Sequence, residues 1–181
     1  SSMPHGFTVF DGTLYFSADD GLDGTQLWAT DGTANSTGVV KYIDPAGHAA
    51  PGGFTVFDGA LYFSADDGAA GSELWKTDGT EAGTYRLADI FPGPEGSIGD
   101  QFAVLNGVAY FFARDDVGEA LWRTDGTAAG TNLVTRAIGP FASSLVATAN
   151  LLYFTADNGF LNNELWKSDG TAAGTVVVKE I

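Results

Sequence analysis

An all-β fold made of four tandem copies of one unit is what the sequence predicts, and three observations predict it. The four tryptophans, Trp28, Trp75, Trp122 and Trp166, are separated by 47, 47 and 44 residues. Each follows a Leu, and three residues after each begins an Asp-Gly-Thr or its equivalent at Asp31, Asp78, Asp125 and Asp169. Tyr15, Tyr62, Tyr110 and Tyr153 keep the same rhythm, each followed by Phe. A four-stranded unit repeated at such a period is the blade of a β-propeller. The expected architecture is a β-propeller of four four-stranded antiparallel blades, approximately 1–46, 47–93, 94–140 and 141–181. These form a single repeat domain, 1–181, either complete or part of a larger ring or array.

The first copy justifies the elements in order. Phe7-Thr8-Val9-Phe10 and Leu14-Tyr15-Phe16-Ser17-Ala18 are β-prone runs joined by Asp11-Gly12, a hairpin signal because a type I′ turn needs positive φ at both central positions. Asp58-Gly59 and Asn106-Gly107 recur at that place, whereas the fourth copy has Ala149-Asn150 and must turn differently. A loop, Asp19 to Gly24, leads to a third strand around Gln26-Leu27-Trp28-Ala29-Thr30. The Asp31-Gly32-Thr33 turn then opens a fourth strand, Val39 to Ile43, and a link bearing Pro45 and Gly47 follows. Strands apolar on both faces, such as Leu-Tyr-Phe, suit sheets sandwiched between neighbours. A β-solenoid is the rival, but its coils are usually shorter and lack three tight hairpins per repeat.

Four copies raise the question of closure, since the last sheet flank must be covered. A closed four-bladed ring, half of a larger ring completed by a second chain, and an excerpt from a longer array are the three solutions. The start at Ser1-Ser2, matching Ser143-Ser144, and the stop at Ile181, matching Ile90, read as a cut at a repeat boundary.

Composition narrows the partners. Eight Lys plus Arg against 23 Asp plus Glu give a formal charge of -15, which repels nucleic acid and anionic membrane surfaces. Direct membrane insertion is not expected either, because there is no run of 18 apolar residues. Cysteine is absent, which removes disulfides and thiolate metal sites. The start lacks the basic and apolar regions of a signal peptide, as a mature or excised segment would.

At the third strand and its turn the copies read QLWATDGTANSTG, ELWKTDGTEAGT, ALWRTDGTAAGT and ELWKSDGTAAGT. This resembles the bacterial ELWxxDGT tandem repeat of large secreted or cell-surface proteins. The resemblance implies a secreted or surface setting and a binding or structural role: adhesion, surface or matrix assembly, or protein–protein interaction. Surface or matrix proteins or glycans are the implied partners, with homo-oligomerisation through blade edges a further option. The first copy departs in Gln26 and in Asn35-Ser36-Thr37-Gly38, which is expected to distort its Gly-Thr pair; the third has Ala120, with Glu119 one place earlier.

Each candidate residue has a structural reading beside the functional one. Mid-strand tryptophans are read as packing wedges between blades, with sugar-stacking platforms as the alternative, a lectin-like module with one weak site per blade. The Asp of each Asp-Gly-Thr is read as turn chemistry, its carboxylate accepting backbone N–H groups two residues on. The acidic loops Asp19-Asp20, Asp66-Asp67, Asp115-Asp116 and Asp157-Asn158 are the candidate metal site, since Gly-bearing loops can turn carboxylates toward a hard cation such as Ca²⁺. Their alternative is a solvated loop tip. No enzyme is expected: His5 and His48 lie in non-repeated linkers, and no copy carries the special insertion that usually marks an active site.

Overall fold

The computed structural model describes residues 2–139, 141–157 and 163–179. Every regular element among them is a β-strand, and the strands form four four-stranded antiparallel sheets of the propeller-blade type, each in simple meander order. Blade 1 contains β1 (His5–Phe10), β2 (Thr13–Asp19), β3 (Thr25–Thr30) and β4 (Gly38–Lys41). Blade 2 contains β5 (Gly52–Phe57), β6 (Ala60–Asp66), β7 (Ser72–Thr77) and β8 (Tyr85–Ala88). Blade 3 contains β9 (Ile98–Leu105), β10 (Val108–Arg114), β11 (Glu119–Thr124) and β12 (Asn132–Thr135). Blade 4 contains β13 (Ser143–Ala147), β14 (Leu152–Asp157), β15 (Asn163–Ser168) and β16 (Val176–Lys179). The chain divides into two compact units, Ser1–Asp100 and Gln101–Ile181.

The hairpins form where the turn chemistry demands. Asp11 and Gly12 have φ of 47° and 76°, Asp58 and Gly59 47° and 68°, Asn106 and Gly107 53° and 78°, all positive as a type I′ turn requires. In the fourth copy the Thr148 hydroxyl closes the turn instead, donating to the Leu151 carbonyl at 2.9 Å and accepting the Leu151 N–H at 3.3 Å. The predicted fourth strand is shorter than its apolar run: β4 ends at Lys41, and Ile43 is a buried linker residue.

In the first unit, Tyr15, Leu27, Ile43 and Ala49 pack with Leu61, Phe63, Ala65 and Trp75. In the second, Tyr110, Phe112 and Leu121 pack with Leu152, Phe154, Ala156 and Trp166. One blade thus presents its Tyr and Leu to the Phe and Trp of the next. The same pairing appears at the turns: a Cβ on Gly79 (φ 95°) or Gly170 (φ 89°) would collide with the hydroxyl of Tyr15 or Tyr110 respectively. Glycine is therefore needed in these turns both for its left-handed backbone and for the notch it leaves.

Candidate functional site

The repeated motif supplies the candidates, and each side chain can be traced to what it touches. Asp31, Asp78, Asp125 and Asp169 each accept the N–H of the Thr two residues on at 2.9 Å. In copies two to four that Thr hydroxyl donates to the same carboxylate oxygen at 2.7 Å. It also accepts the N–H of Gly83, Gly130 or Gly174. In copy one Ser36 stands where Gly83 stands, and its hydroxyl donates to Asp31. The turn keeps its register there and is not distorted, because the serine hydroxyl joins the bonding pattern that the motif already has. These bonds to the ionised form hold all four carboxyls below the usual carboxylate range, led by the Ser36 hydroxyl at Asp31 and by the Thr hydroxyls at the others.

The tryptophans divide by position. Trp75 and Trp166 are buried, stacked on Phe63 and Phe154 at ring-centroid separations of 6.5 and 6.2 Å. Trp28 and Trp122 are half-buried.

The acidic loops cap themselves. Asp19 accepts the Gly21 N–H at 2.6 Å, and Asp20 accepts those of Leu22 and Asp23 at 2.9 and 3.1 Å. Asp66 accepts the Gly68 N–H at 2.8 Å; Asp67 accepts those of Ala69 and Ala70 and pairs with Arg86 at 2.9 Å. Asp115 accepts the Val117 and Gly118 N–H groups and pairs with Arg136, whose guanidinium hydrogen bond leads in holding its carboxyl down to about 2. Asp116 is exposed, and Asp157 is buried with its carbonyl accepting the Gly139 N–H. Asn158 lies outside the described residues. Among the described residues no three His, Cys, Asp or Glu side chains gather as a metal site. Loop position alone did not reveal that these oxygens face their own backbone.

Sequence reasoning missed the linker clamp. Glu73 is fully buried and accepts the Ile90 N–H at 2.9 Å, the Phe91 N–H at 3.2 Å and the Ser97 hydroxyl at 2.6 Å. Burial pushes its carboxyl above the usual range against these bonds. Gln26 does the same work in copy one: its amide oxygen accepts the Ile43 and Asp44 N–H groups, and its amide nitrogen donates to the Asp23, Asp44 and Gly47 carbonyls. Glu119, displaced by one position, accepts the Phe141 N–H at 2.7 Å. The departures from Glu in copies one and three therefore preserve contacts to the following link. The signal in the sequence is a Gln or Glu directly before Leu-Trp, at Gln26, Glu73 and Glu164, all three of which are buried.

One open concavity stands out in the first unit. A cavity of about 440 Å³ is lined by Phe16, Ala18, Asp19, Asp20, Trp28 and Thr37, among others. Its size falls within the range of small-ligand sites. The histidines lie apart from it in function: His48 Nδ1 accepts the Thr25 N–H, and His5 Nδ1 contacts the Met3 carbonyl at 2.9 Å.

The fold is similar to that of solved propeller-type proteins. Puromycin hydrolase matches 99% of this chain and 29% of its own, at 16% identity and a TM-score of 0.67. TolB from Acinetobacter baumannii matches 97% of this chain and 43% of its own, at 11% identity and a TM-score of 0.61. The computationally designed Ika8 protein matches 97% and 48%, at 14% identity and a TM-score of 0.55. The chain thus spans less than half the length of each. No family model matches the chain, and no curated protein sequence matches it.

Proposed function

We propose that the chain is a non-catalytic, extracytoplasmic β-propeller module for adhesion, surface or matrix assembly, or protein–protein interaction. The observation that carries this reading is the use of the repeated polar residues: turn Asp, turn Thr and the Gln26 and Glu73 clamp all bond the protein's own backbone. Exposed apolar surface is left for a partner, in blade 1 at Met3, Phe7 and Val9, which are 72%, 59% and 65% exposed. The likeness to ELWxxDGT repeats supports a secreted or cell-surface setting. The puromycin hydrolase among the structural neighbours lends its fold and not its chemistry at this identity.

A second reading, carbohydrate binding, is favoured by the half-buried Trp28 beside Asp19 and Asp20 in one cavity. With Trp75 and Trp166 buried, it narrows from a site on every blade to the half-buried Trp28 and Trp122, of which Trp28 lines this cavity. A glycan array in calcium and in chelator, run with pooled peptide, ester and glycoside substrates, tests both. The first reading expects no turnover and no glycan retention; reproducible glycan hits lost in Trp28→Ala favour the second, and turnover overturns both. Calcium at the acidic loops would compete with backbone N–H groups and guanidinium for the same oxygens. A melting temperature equal in calcium and chelator is the expected result, and a calcium-dependent rise would assign the loops a metal.

A further inference from the structure

The two units each contain one blade-to-blade joint, and the joints are built alike. In the first, Tyr15 covers Gly79, Leu27 packs with Phe63 and Trp75, and Lys41 Nζ donates to the Thr84 carbonyl at 2.7 Å and the Glu81 carbonyl at 3.4 Å. In the second, Tyr110 covers Gly170, and Leu121 packs with Phe154 and Trp166. Each joint therefore has a giving face, with Tyr and Leu, and a receiving face, with Phe, Trp and the glycine notch.

Blade 1 carries a receiving face with nothing in its notch. A Cβ on Gly32 would meet no atom within 4 Å. Thr37, equivalent to the fully buried Thr84, is exposed; Trp28, equivalent to buried Trp75, is half-buried; and the 440 Å³ cavity lies beside Phe16, the equivalent of Phe63. Phe7 is 59% exposed and lies tilted against Phe16 at a ring-centroid separation of 5.8 Å, whereas its equivalent Phe54 is packed against the core of the first joint.

Blade 4 carries a giving face with the same residues in the same register. Leu165 pairs with Lys179 across β15 and β16 as Leu27 pairs with Lys41 across β3 and β4. Leu165 is 38% exposed where Leu27 and Leu121 are 0% exposed. Tyr153 is half-buried where Tyr15 and Tyr110 are buried, and Val176, Val178 and Lys179 are exposed.

We propose that blade 4 of one chain docks face to face on blade 1 of a second copy. Tyr153 covers Gly32, Leu165 enters the cavity beside Phe16 and Trp28, and Lys179 caps the carbonyls of Ala34 and Thr37, the equivalents of Glu81 and Thr84 in the first joint. The occupant is a second copy because the receiving face already has its match twice within the chain, in residue type and in register. The contact uses sheet faces and not blade edges, so the strand flanks contribute nothing to it. It deepens the assembly role proposed above and rests on that reading only for its purpose. A charge of -15 on each chain opposes the association at long range, so added salt strengthens it.

Sedimentation velocity over roughly 1 to 100 µM protein tests this, with the parent, Phe7→Glu on the receiving face and Leu165→Glu on the giving face. The parent self-associates; each variant does so at least about tenfold more weakly while melting as the parent does at low concentration. An equimolar mixture of the two variants regains a dimer, because one intact pair of faces remains. Lys179→Glu weakens the parent association without touching the core. A parent that is monomeric throughout, an association indifferent to both variants, or a mixture that stays monomeric overturns the proposal. Monomeric parent that still binds a protein or glycan leaves the binding-module reading standing, and turnover with intact self-association does the reverse.

Discussion

Replacing Glu73 with Ala is expected to destabilise the first unit by about 3 kcal/mol or more, while Glu73→Gln is tolerated. The alanine leaves the Ile90 and Phe91 N–H groups and the Ser97 hydroxyl without their acceptor beneath a fully buried site. Glutamine keeps an acceptor, and the natural Gln26 shows that one amide oxygen can serve two linker N–H groups. The pH dependence separates the two substitutions further. Because burial raises the Glu73 carboxyl above its ordinary value of 4.5, the folded state holds its proton more tightly than the unfolded chain. Its contribution is most favourable below 4.5 and declines as pH rises through the folded value. Glu73→Gln lacks this decline, so its stability relative to the parent improves as pH rises through that window. Chemical denaturation at a series of pH values reads both effects. A Glu73→Ala variant as stable as the parent would show that the linker does not need the clamp.

Trp75→Ala is expected to cost about 3–5 kcal/mol, the range for removing a buried aromatic from a core. The ring sits 5% exposed among Tyr15, Leu27, Ile43 and Phe63, where its loss leaves a cavity between the two blades of the first unit. Trp28→Ala, at the same position of blade 1, should cost much less, because half-buried Trp28 faces the open cavity. Calorimetry of the two variants side by side measures the contrast. Equal costs would mean that the blade 1 face is not open in solution.

Much of the fold was legible because short-range chemistry determines it. Asp11-Gly12 announces a turn through the φ values it permits, and the LYF runs announce strands buried on both faces. The tryptophan wedge was legible for Trp75 and Trp166, but the repeat cannot say which copy lacks a neighbour, so Trp28 looked the same as the rest. The clamp was illegible for a different reason. Glu73 reaches N–H groups 17 and 18 residues away, and Glu119 reaches one 22 residues away. Such separations are decided by how the link folds back, and the shift from Glu to Gln26 or to Glu119 then reads as loss where it is substitution in kind. The acidic loops show the converse. Asp20, Asp67 and Asp115 lie at equivalent places in charged Gly-bearing loops, which suggests a cation, and the structure adds that their oxygens cap N–H groups two and three residues ahead. Charge was visible in the sequence, and direction was not.

The central claim is that the repeated motif is scaffold, and the melting of Asp78→Ala tests it most directly. The Asp78 carboxyl lies below its ordinary value of 3.8 through bonds from the Thr80 hydroxyl and N–H. Its contribution is therefore present above 3.8 and lost as pH falls toward the folded value. The variant should melt below the parent at neutral pH, and the gap should close as both are taken into acid. Unchanged melting at neutral pH, with loss of self-association or of ligand binding, would contradict the claim and make the turn a binding site.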